Sequence, residues 1–151
     1  MIEVENLSKK FGKLNIFENL SFQINNKEGL FITGASGCGK TTLLRILAGF
    51  DDKYQGNIKI DGQTIEKETV SYERNIAIVF QEPTLWNHMT VIKNMTYGMK
   101  KEDNDLLMNV AKGLQIENLL LRYPEEISGG QAKRVSLARA LLSGKKNLLL
   151  D

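Results

Sequence analysis

Cysteine is nearly absent from this sequence, since Cys38 is the single thiol among 151 residues. One cysteine cannot form a disulfide within the chain, which excludes a disulfide-stapled secreted domain. Long apolar runs are also missing, because no stretch approaches the roughly 18 residues of a membrane-spanning helix. The first residues, MIEVENLSKK, lack the apolar core of a signal peptide. These absences predict a cytosolic protein.

An excess of charge of one sign is absent as well. The 20 lysines and arginines and the 18 aspartates and glutamates leave a net charge of +2. Scattered basic residues at this balance give no indication of a nucleic-acid partner. The chain is long enough for one domain with its own core, and its composition is that of a soluble globular protein.

Short apolar segments alternate with segments of helical periodicity. Strands are predicted at residues 2–7, 20–24, 30–33 (LFIT), 57–62, 75–80 (NIAIVF) and 147–150 (NLLL), and helices at 41–49, 106–114 and 134–142. The strands at 75–80 and 147–150 are expected to be buried on both faces. The last helix is expected to bury one side, formed by Val135, Leu137, Ala138, Leu141 and Leu142. This alternation predicts an α/β core with a parallel sheet and an added antiparallel β layer near the N-terminus.

The stretch GASGCGKTT is a complete phosphate-binding motif between a predicted strand and a predicted helix. Its glycines are predicted to adopt positive φ, so that backbone N–H groups and the helix N-terminus cradle an anion. Lys40 adds a positive charge at the β- and γ-phosphates, and Thr41 offers a hydroxyl ligand to Mg²⁺. We therefore expect a nucleoside triphosphate to bind residues Gly34, Ala35, Ser36, Gly37, Cys38, Gly39, Lys40, Thr41 and Thr42.

A second motif lies in EEISGGQAKRVSLARALL, residues 125–142. Ser128 and Gln131 have the spacing of a capping box, which predicts that Ser128 begins a helix. Gly129 and Gly130 leave the helix N-terminus bare, so it is a second candidate anion-binding end.

With these two motifs the chain resembles the nucleotide-binding cassette of the ABC ATPase family, and in particular bacterial importer cassettes. Residues 127–131 match the family signature LSGGQ with one conservative change, and the resemblance extends from LSKKFG to NLLLD. It implies a P-loop NTPase core of the α/β class, with a parallel sheet, an N-terminal antiparallel β layer and a small helical subdomain at about 84–127. It also implies a head-to-tail dimer of cassettes, in which Ser128, Gly129, Gly130 and Gln131 contact the γ-phosphate of ATP held by the partner.

The resemblance assigns further roles residue by residue. Phe11 matches the aromatic residue that stacks on adenine, with Phe17 as the local competitor. Gln81 matches the lid-loop glutamine that reaches Mg²⁺ and the attacking water. Asp151, at the carboxyl end of a predicted strand, resembles the Walker B aspartate that supports Mg²⁺ through water. Gln81 and Asp151 are thus the expected catalytic residues, and both join Thr41 in the expected Mg²⁺ site.

The family's general base and switch histidine would follow Asp151. We therefore expect residues 1–151 to be a single, C-terminally incomplete cassette domain with slow ATP hydrolysis, because losing a positioned base costs on the order of 10²–10⁴-fold in rate.

The expected function is the ATP-hydrolysing subunit of a membrane transporter, of the import type, held at the cytoplasmic face of the membrane by membrane-spanning subunits. Leu85 and Trp86 are candidates for docking those subunits or for a core role. Two alternatives stay open: a nucleotide-driven clamp on ribosomes or DNA, and a fragment that binds ATP without turnover. The transported substrate is not encoded in these motifs.

Overall fold

The computed structural model describes all residues from Met1 to Asp151. They form two compact units. The first comprises Met1–Ile76 together with Asp151, and the second comprises Ala77–Leu150.

The first unit is built around an antiparallel sheet of four strands, β1 (Ile2–Phe11), β2 (Leu14–Ile24), β3 (Gln55–Ile60) and β4 (Gln63–Thr64). Their order in the sheet is β2-β1-β3-β4. Ile2 lies between two isoleucines, Ile24 on one neighbouring strand and Ile60 on the other. Such apolar cross-strand neighbours stabilise a sheet and fix its register. The antiparallel layer predicted near the N-terminus is confirmed.

Helix α1 (Lys40–Ala48) follows the glycine-rich stretch, as predicted. It buries Leu43, Leu44, Ile46 and Leu47, which share one side of the helix. Gly49 ends it in the left-handed region at φ 84°, and its N–H donates to the carbonyls of Arg45 and Ile46. Glycine is preferred at this position because a Cβ is disfavoured at positive φ.

The segment LFIT (30–33) is not a strand, contrary to the prediction. It pairs with no strand of either sheet, so it gains none of the inter-strand hydrogen bonds that stabilise extended backbone. Its apolar side chains are also exposed, and Phe31 is 92% accessible.

The second unit has a helical core from α2 (Val91–Thr96), α3 (Asn104–Gly113) and α4 (Gly129–Leu142). Two short 3₁₀ turns, Glu117–Leu119 and Pro124–Glu126, lie between α3 and α4. The buried core residues are Val91, Met95, Leu107, Ala111, Ile116, Leu119, Val135, Ala138 and Leu142.

The predicted buried side of α4 needs one correction. Val135, Ala138 and Leu142 are buried, but Leu141 is exposed and Leu137 is half-buried. At 3.6 residues per turn, Leu141 points about 110° away from the line through Val135 and Leu142, so it lies off the core-facing side.

Strands β5 (Ile76–Val79) and β6 (Asn147–Leu150) form the parallel part of the fold. The prediction that both are buried on two faces is wrong. In β6 only Leu149 is buried, and Leu150 is 62% exposed, because successive side chains alternate between the covered and the open face. In β5 only Ile76 is fully buried. The predicted fold class is nevertheless confirmed: parallel and antiparallel sheets combine with helices.

A buried ion pair in the first unit fastens β1 to the segment after α1. The ammonium group of Lys9 lies 2.7 Å from Asp51 Oδ1 and also donates to the carbonyl of Lys53 at 2.8 Å. Lys9 is only 2% exposed. Two partners compensate the loss of water around its charge.

Candidate nucleotide-binding site

The glycine-rich loop has the predicted backbone. Gly34, Gly37 and Gly39 all have positive φ, at 155°, 81° and 100°. Residues 34–38 are exposed, and a single internal bond, from Cys38 N–H to the carbonyl of Ala35, tightens the turn. The loop leads directly into α1, so its N–H groups lie next to the positive end of the helix dipole. This arrangement suits an anion.

Gly39 is the point at which the loop rests on the sheet. A Cβ on Gly39 would collide with Ile16 Cγ2 and lie 3.3 Å from Phe17 Cδ1. Both neighbours belong to β2, and both are half-buried. Gly37 also has positive φ, but a Cβ there would meet nothing within 4 Å.

We expect Gly39→Ala to lower the free energy of unfolding by about 2–4 kcal/mol, since left-handed strain of about 1–2 kcal/mol adds to overpacking against a stiff β-branched side chain. The matched variant Gly37→Ala has the strain without the collision and should lose only about 1–2 kcal/mol. Urea denaturation followed by circular dichroism measures both. Equal losses would show that Gly39 does not rest on β2.

Lys40 lies folded over this loop. Its ammonium group donates to the carbonyls of Gly34 and Ala35, each at 2.9 Å, and lies 3.7 Å from Cys38 Sγ. The thiol occupies the space that Gly34 leaves, because a Cβ on Gly34 would be 2.7 Å from that sulfur. The positive charge is therefore centred on the loop, and Cys38 fills a gap beside it.

Thr41 and Asp151 meet although they are 110 positions apart in sequence. Thr41 Oγ1 donates to Asp151 Oδ1 at 2.8 Å. Each of them is predicted to serve Mg²⁺, and the fold brings the two oxygens into contact. The chain contains no cluster of three or more His, Cys, Asp or Glu side chains that could hold a metal. A hydroxyl beside a carboxylate does fit Mg²⁺, which prefers a few hard oxygen ligands completed by phosphate and water.

Arg74, which was not predicted from the sequence, supports this site from the far end of α1. It is 1% exposed. One guanidinium nitrogen donates to the carbonyls of Ile46 at 2.7 Å and Leu47 at 3.0 Å, which end the helix. A Cβ on Gly49 would lie 2.7 Å from Arg74 Nε. Burial lowers the pKa of Arg74, and the hydroxyl of Tyr54 partly opposes this shift. No local pattern marks an arginine before an apolar strand as a helix cap.

Phe11 is the last residue of β1 and is 53% exposed. The Lys9 ammonium group lies 4.7 Å from the centroid of its ring. Its competitor Phe17 is instead occupied beneath Gly39. Of the two rings, Phe11 is the one available for stacking on a planar base.

The signature motif lies in the second unit and has the predicted cap. Ser128 N–H donates to Gln131 Oε1 at 2.8 Å, and Gln131 N–H donates to Ser128 Oγ at 3.3 Å, so the capping box is confirmed. Ser128, Gly129 and Gly130 are exposed, and a Cβ on either glycine would meet nothing within 4 Å. This helix end is open to an approaching group.

Gln81 is also part of the second unit. It lies shortly after β5 and is exposed.

Comparison with known proteins decides the family. A sequence model of the ABC transporter family matches residues 17–151. The chain belongs to the ABC transporter family. The match includes both motifs described above, as the sequence analysis predicted.

Named relatives include ATP-binding proteins of import systems. The chain is 38% identical to the spermidine/putrescine import ATP-binding protein PotA of Pasteurella multocida, over 100% of the chain and 42% of the relative. It is 39% identical to the sulfate/thiosulfate import ATP-binding protein CysA of Pseudomonas putida, over 99% of the chain and 48% of the relative. The chain thus spans less than half the length of these two relatives.

Solved structures share the fold. A dimeric ATP-binding cassette in a post-hydrolysis state, bound to ADP and Pi, aligns with a TM-score of 0.84 at 26% identity, covering 100% of this chain and 73% of that one. The core is therefore that of an ABC ATPase cassette. None of the helices combines the length and hydropathy of a membrane span.

Proposed function

We propose that this chain is the ATP-binding part of an importer subunit, which couples the binding and hydrolysis of ATP to movement of a solute across a membrane. The contact between Thr41 and Asp151 carries the proposal. Mg²⁺ in nucleotide sites is usually bound through one or two carboxylates together with substrate phosphates, so a carboxylate beside a phosphate-binding loop suits MgATP.

In this proposal each residue of the loop acts on the nucleotide in its own way. Lys40 exchanges the carbonyls of Gly34 and Ala35 for phosphate oxygens, and loop N–H groups donate to the same phosphates. Phe11 stacks on the adenine. Thr41, Asp151 and Gln81 would hold Mg²⁺, which would neutralise phosphate charge when bound. Gln81 also orients the attacking water.

The open end of α4 completes the site of a second cassette. Ser128 and the N–H groups of Gly129 and Gly130 would donate to the γ-phosphate bound by the partner copy. The solved relative that is dimeric and bound to ADP and Pi supports this arrangement. Both named relatives are import proteins, which supports an importer over a clamp on ribosomes or DNA.

The partners follow from the same reasoning. We propose that membrane-spanning subunits hold the protein at the cytoplasmic face of the membrane and choose the solute. PotA and CysA serve polyamines and sulfate or thiosulfate, yet their identities to this chain are 38% and 39%. Two relatives that are about equally similar to this chain but are named for different solutes support a cargo choice made elsewhere.

We expect Ser128→Ala to weaken MgATP-dependent dimerisation of the natural protein at least tenfold, because one γ-phosphate donor is lost from each site. Affinity for ATP in the monomer should change less than twofold. Sedimentation velocity with and without MgATP measures the first quantity, and a nucleotide titration measures the second.

Ser143→Ala is the matched control, since Ser143 caps the other end of the same helix. Dimerisation that is insensitive to both substitutions would contradict the shared site. Failure of the natural protein to release phosphate from ATP would favour the alternative of nucleotide binding without turnover.

A further inference from the structure

Segment 82–90 joins β5 to α2 without forming a helix or strand. Its backbone is nevertheless fixed by Asn94, which is fully buried. Trp86 N–H donates to Asn94 Oδ1 at 2.8 Å. The Asn94 amide nitrogen donates to the carbonyls of Trp86 at 3.1 Å, Met89 at 3.1 Å and Thr90 at 3.2 Å. One side chain thus satisfies several backbone groups of an irregular segment.

Arg139 of α4 holds the same segment from another side. Its guanidinium donates to the carbonyl of Thr84 at 2.7 Å and to Thr84 Oγ1 at 2.9 Å. The guanidinium carbon lies 4.7 Å from the centroid of the Trp86 ring. The ring of Tyr97 also lies against Trp86, with centroids 4.2 Å apart. Trp86 is therefore occupied within its own unit, which supports its core role over docking.

Because Arg139 is half-buried, its charge depends on its contacts with this segment. Burial lowers the pKa of its guanidinium, and arginine nevertheless keeps its charge in proteins. A half-buried charge is costly unless hydrogen bonds and a ring face compensate it. All three compensating contacts come from residues 84 and 86. Displacing the segment would leave this charge without them.

We propose that Arg139 is a positioning residue, which holds Gln81 and Ser128 in one rigid frame. Ser128 caps the helix that carries Arg139. Gln81 lies three positions before Thr84, which Arg139 holds. The Cα atoms of Gln81 and Thr84 can therefore be no more than about 11 Å apart. The inference rests on the proposed function, in which Gln81 orients the attacking water and Ser128 meets the γ-phosphate.

The first test measures steady-state ATP hydrolysis by the natural protein. Arg139→Gln should lower kcat at least tenfold with KM for ATP within twofold, because misplacing a catalytic group by about 1 Å can cost 10²-fold. Thr84→Val removes one contact at an exposed site and should lower kcat about threefold. Arg134→Gln is the matched control: Arg134 lies on the same helix and donates to the carbonyls of Leu114 and Gln115 instead. It should keep kcat within twofold.

The second test measures hydrogen exchange of the amides of residues 84–90 without nucleotide. Arg139→Gln should speed their exchange at least tenfold, whereas Arg134→Gln should leave it unchanged. Equal effects of the two substitutions on kcat, or unchanged exchange in Arg139→Gln, would overturn the positioning role. A parent protein that does not hydrolyse ATP would refute the proposed function instead. The exchange result would then decide by itself whether Arg139 holds residues 84–90.

Discussion

Lys40→Ala is expected to lower the affinity of the protein for MgATP by more than about 100-fold. The ammonium group is centred on the loop by two carbonyls at 2.9 Å, so it lies where phosphate oxygens would bind. Removing one partner of a close, hydrogen-bonded charge pair costs about 2–5 kcal/mol, and about 2.7 kcal/mol is a factor of 100 in Kd. Isothermal titration calorimetry with MgATP measures the change.

The control for that experiment is Lys101→Ala, which removes the same charge from an exposed position in the second unit. Its Kd should stay within twofold of the parent value. Circular dichroism of Lys40→Ala should match that of the parent, because the contacts of the Lys40 ammonium go to loop residues and not to the buried side of α1. An unchanged Kd in Lys40→Ala would remove the phosphate site from residues 34–42.

Asp51→Asn is expected to destabilise the protein by about 3 kcal/mol at neutral pH. The substitution leaves the charge of Lys9, only 2% exposed, without its carboxylate partner. Breaking a buried pair by removing one member typically costs about 3–5 kcal/mol. The lower end applies here because the Lys53 carbonyl still accepts a hydrogen bond from Lys9. Urea denaturation followed by circular dichroism gives the difference.

The same pair predicts a pH dependence. Burial raises the pKa of Asp51, but hydrogen bonds from Lys9 and the Lys53 N–H, with the charges of Lys9 and Arg45, outweigh it, so the pKa lies below its ordinary value of 3.8. A lowered folded-state pKa means that the pair stabilises the protein fully above pH 3.8. This stabilisation is lost as pH falls through the lower folded-state value.

The control is Asp52→Asn, which changes an exposed neighbour by the same charge. The free energy of unfolding of Asp52→Asn should stay within about 0.5 kcal/mol of the parent value at every pH. The difference in the free energy of unfolding between the parent and Asp51→Asn should become smaller as the pH falls into the acid range. If the difference in the free energy of unfolding between the parent and Asp51→Asn does not change with pH, the Asp51 carboxylate is not held in its charged form.

Features with local causes could be predicted from the sequence. Positive φ in the phosphate loop follows from glycine itself, and the capping box at Ser128 involves groups only three residues apart. The buried side of α1 follows from helical periodicity. Each depends on residues within a turn or two of the chain, where backbone geometry fixes the neighbours. The family resemblance also rested on such local motifs, and the comparison with known proteins confirmed it.

Two predictions for apolar segments are wrong: LFIT forms no strand, and NLLL forms a strand that is not buried on both faces. LFIT and NLLL have the composition of buried strands, yet Phe31 and Leu150 are exposed. Composition gives the propensity of a strand, whereas its burial depends on which neighbours pair with it and cover it. The predicted side of α4 was displaced for a related reason, since only packing decides which part of an apolar stripe faces the core.

By itself, then, the sequence determined the phosphate loop, the helix that follows it and the capped signature helix, because short-range geometry dictates each of them. Only the tertiary structure decided that Thr41 meets Asp151 and that Arg74 caps α1. It also decided that Lys9 is buried with Asp51 and that Arg139 holds Thr84. These contacts join residues 28 to 110 positions apart. No periodicity or propensity reaches across such distances, so the packing of the folded chain alone selects them.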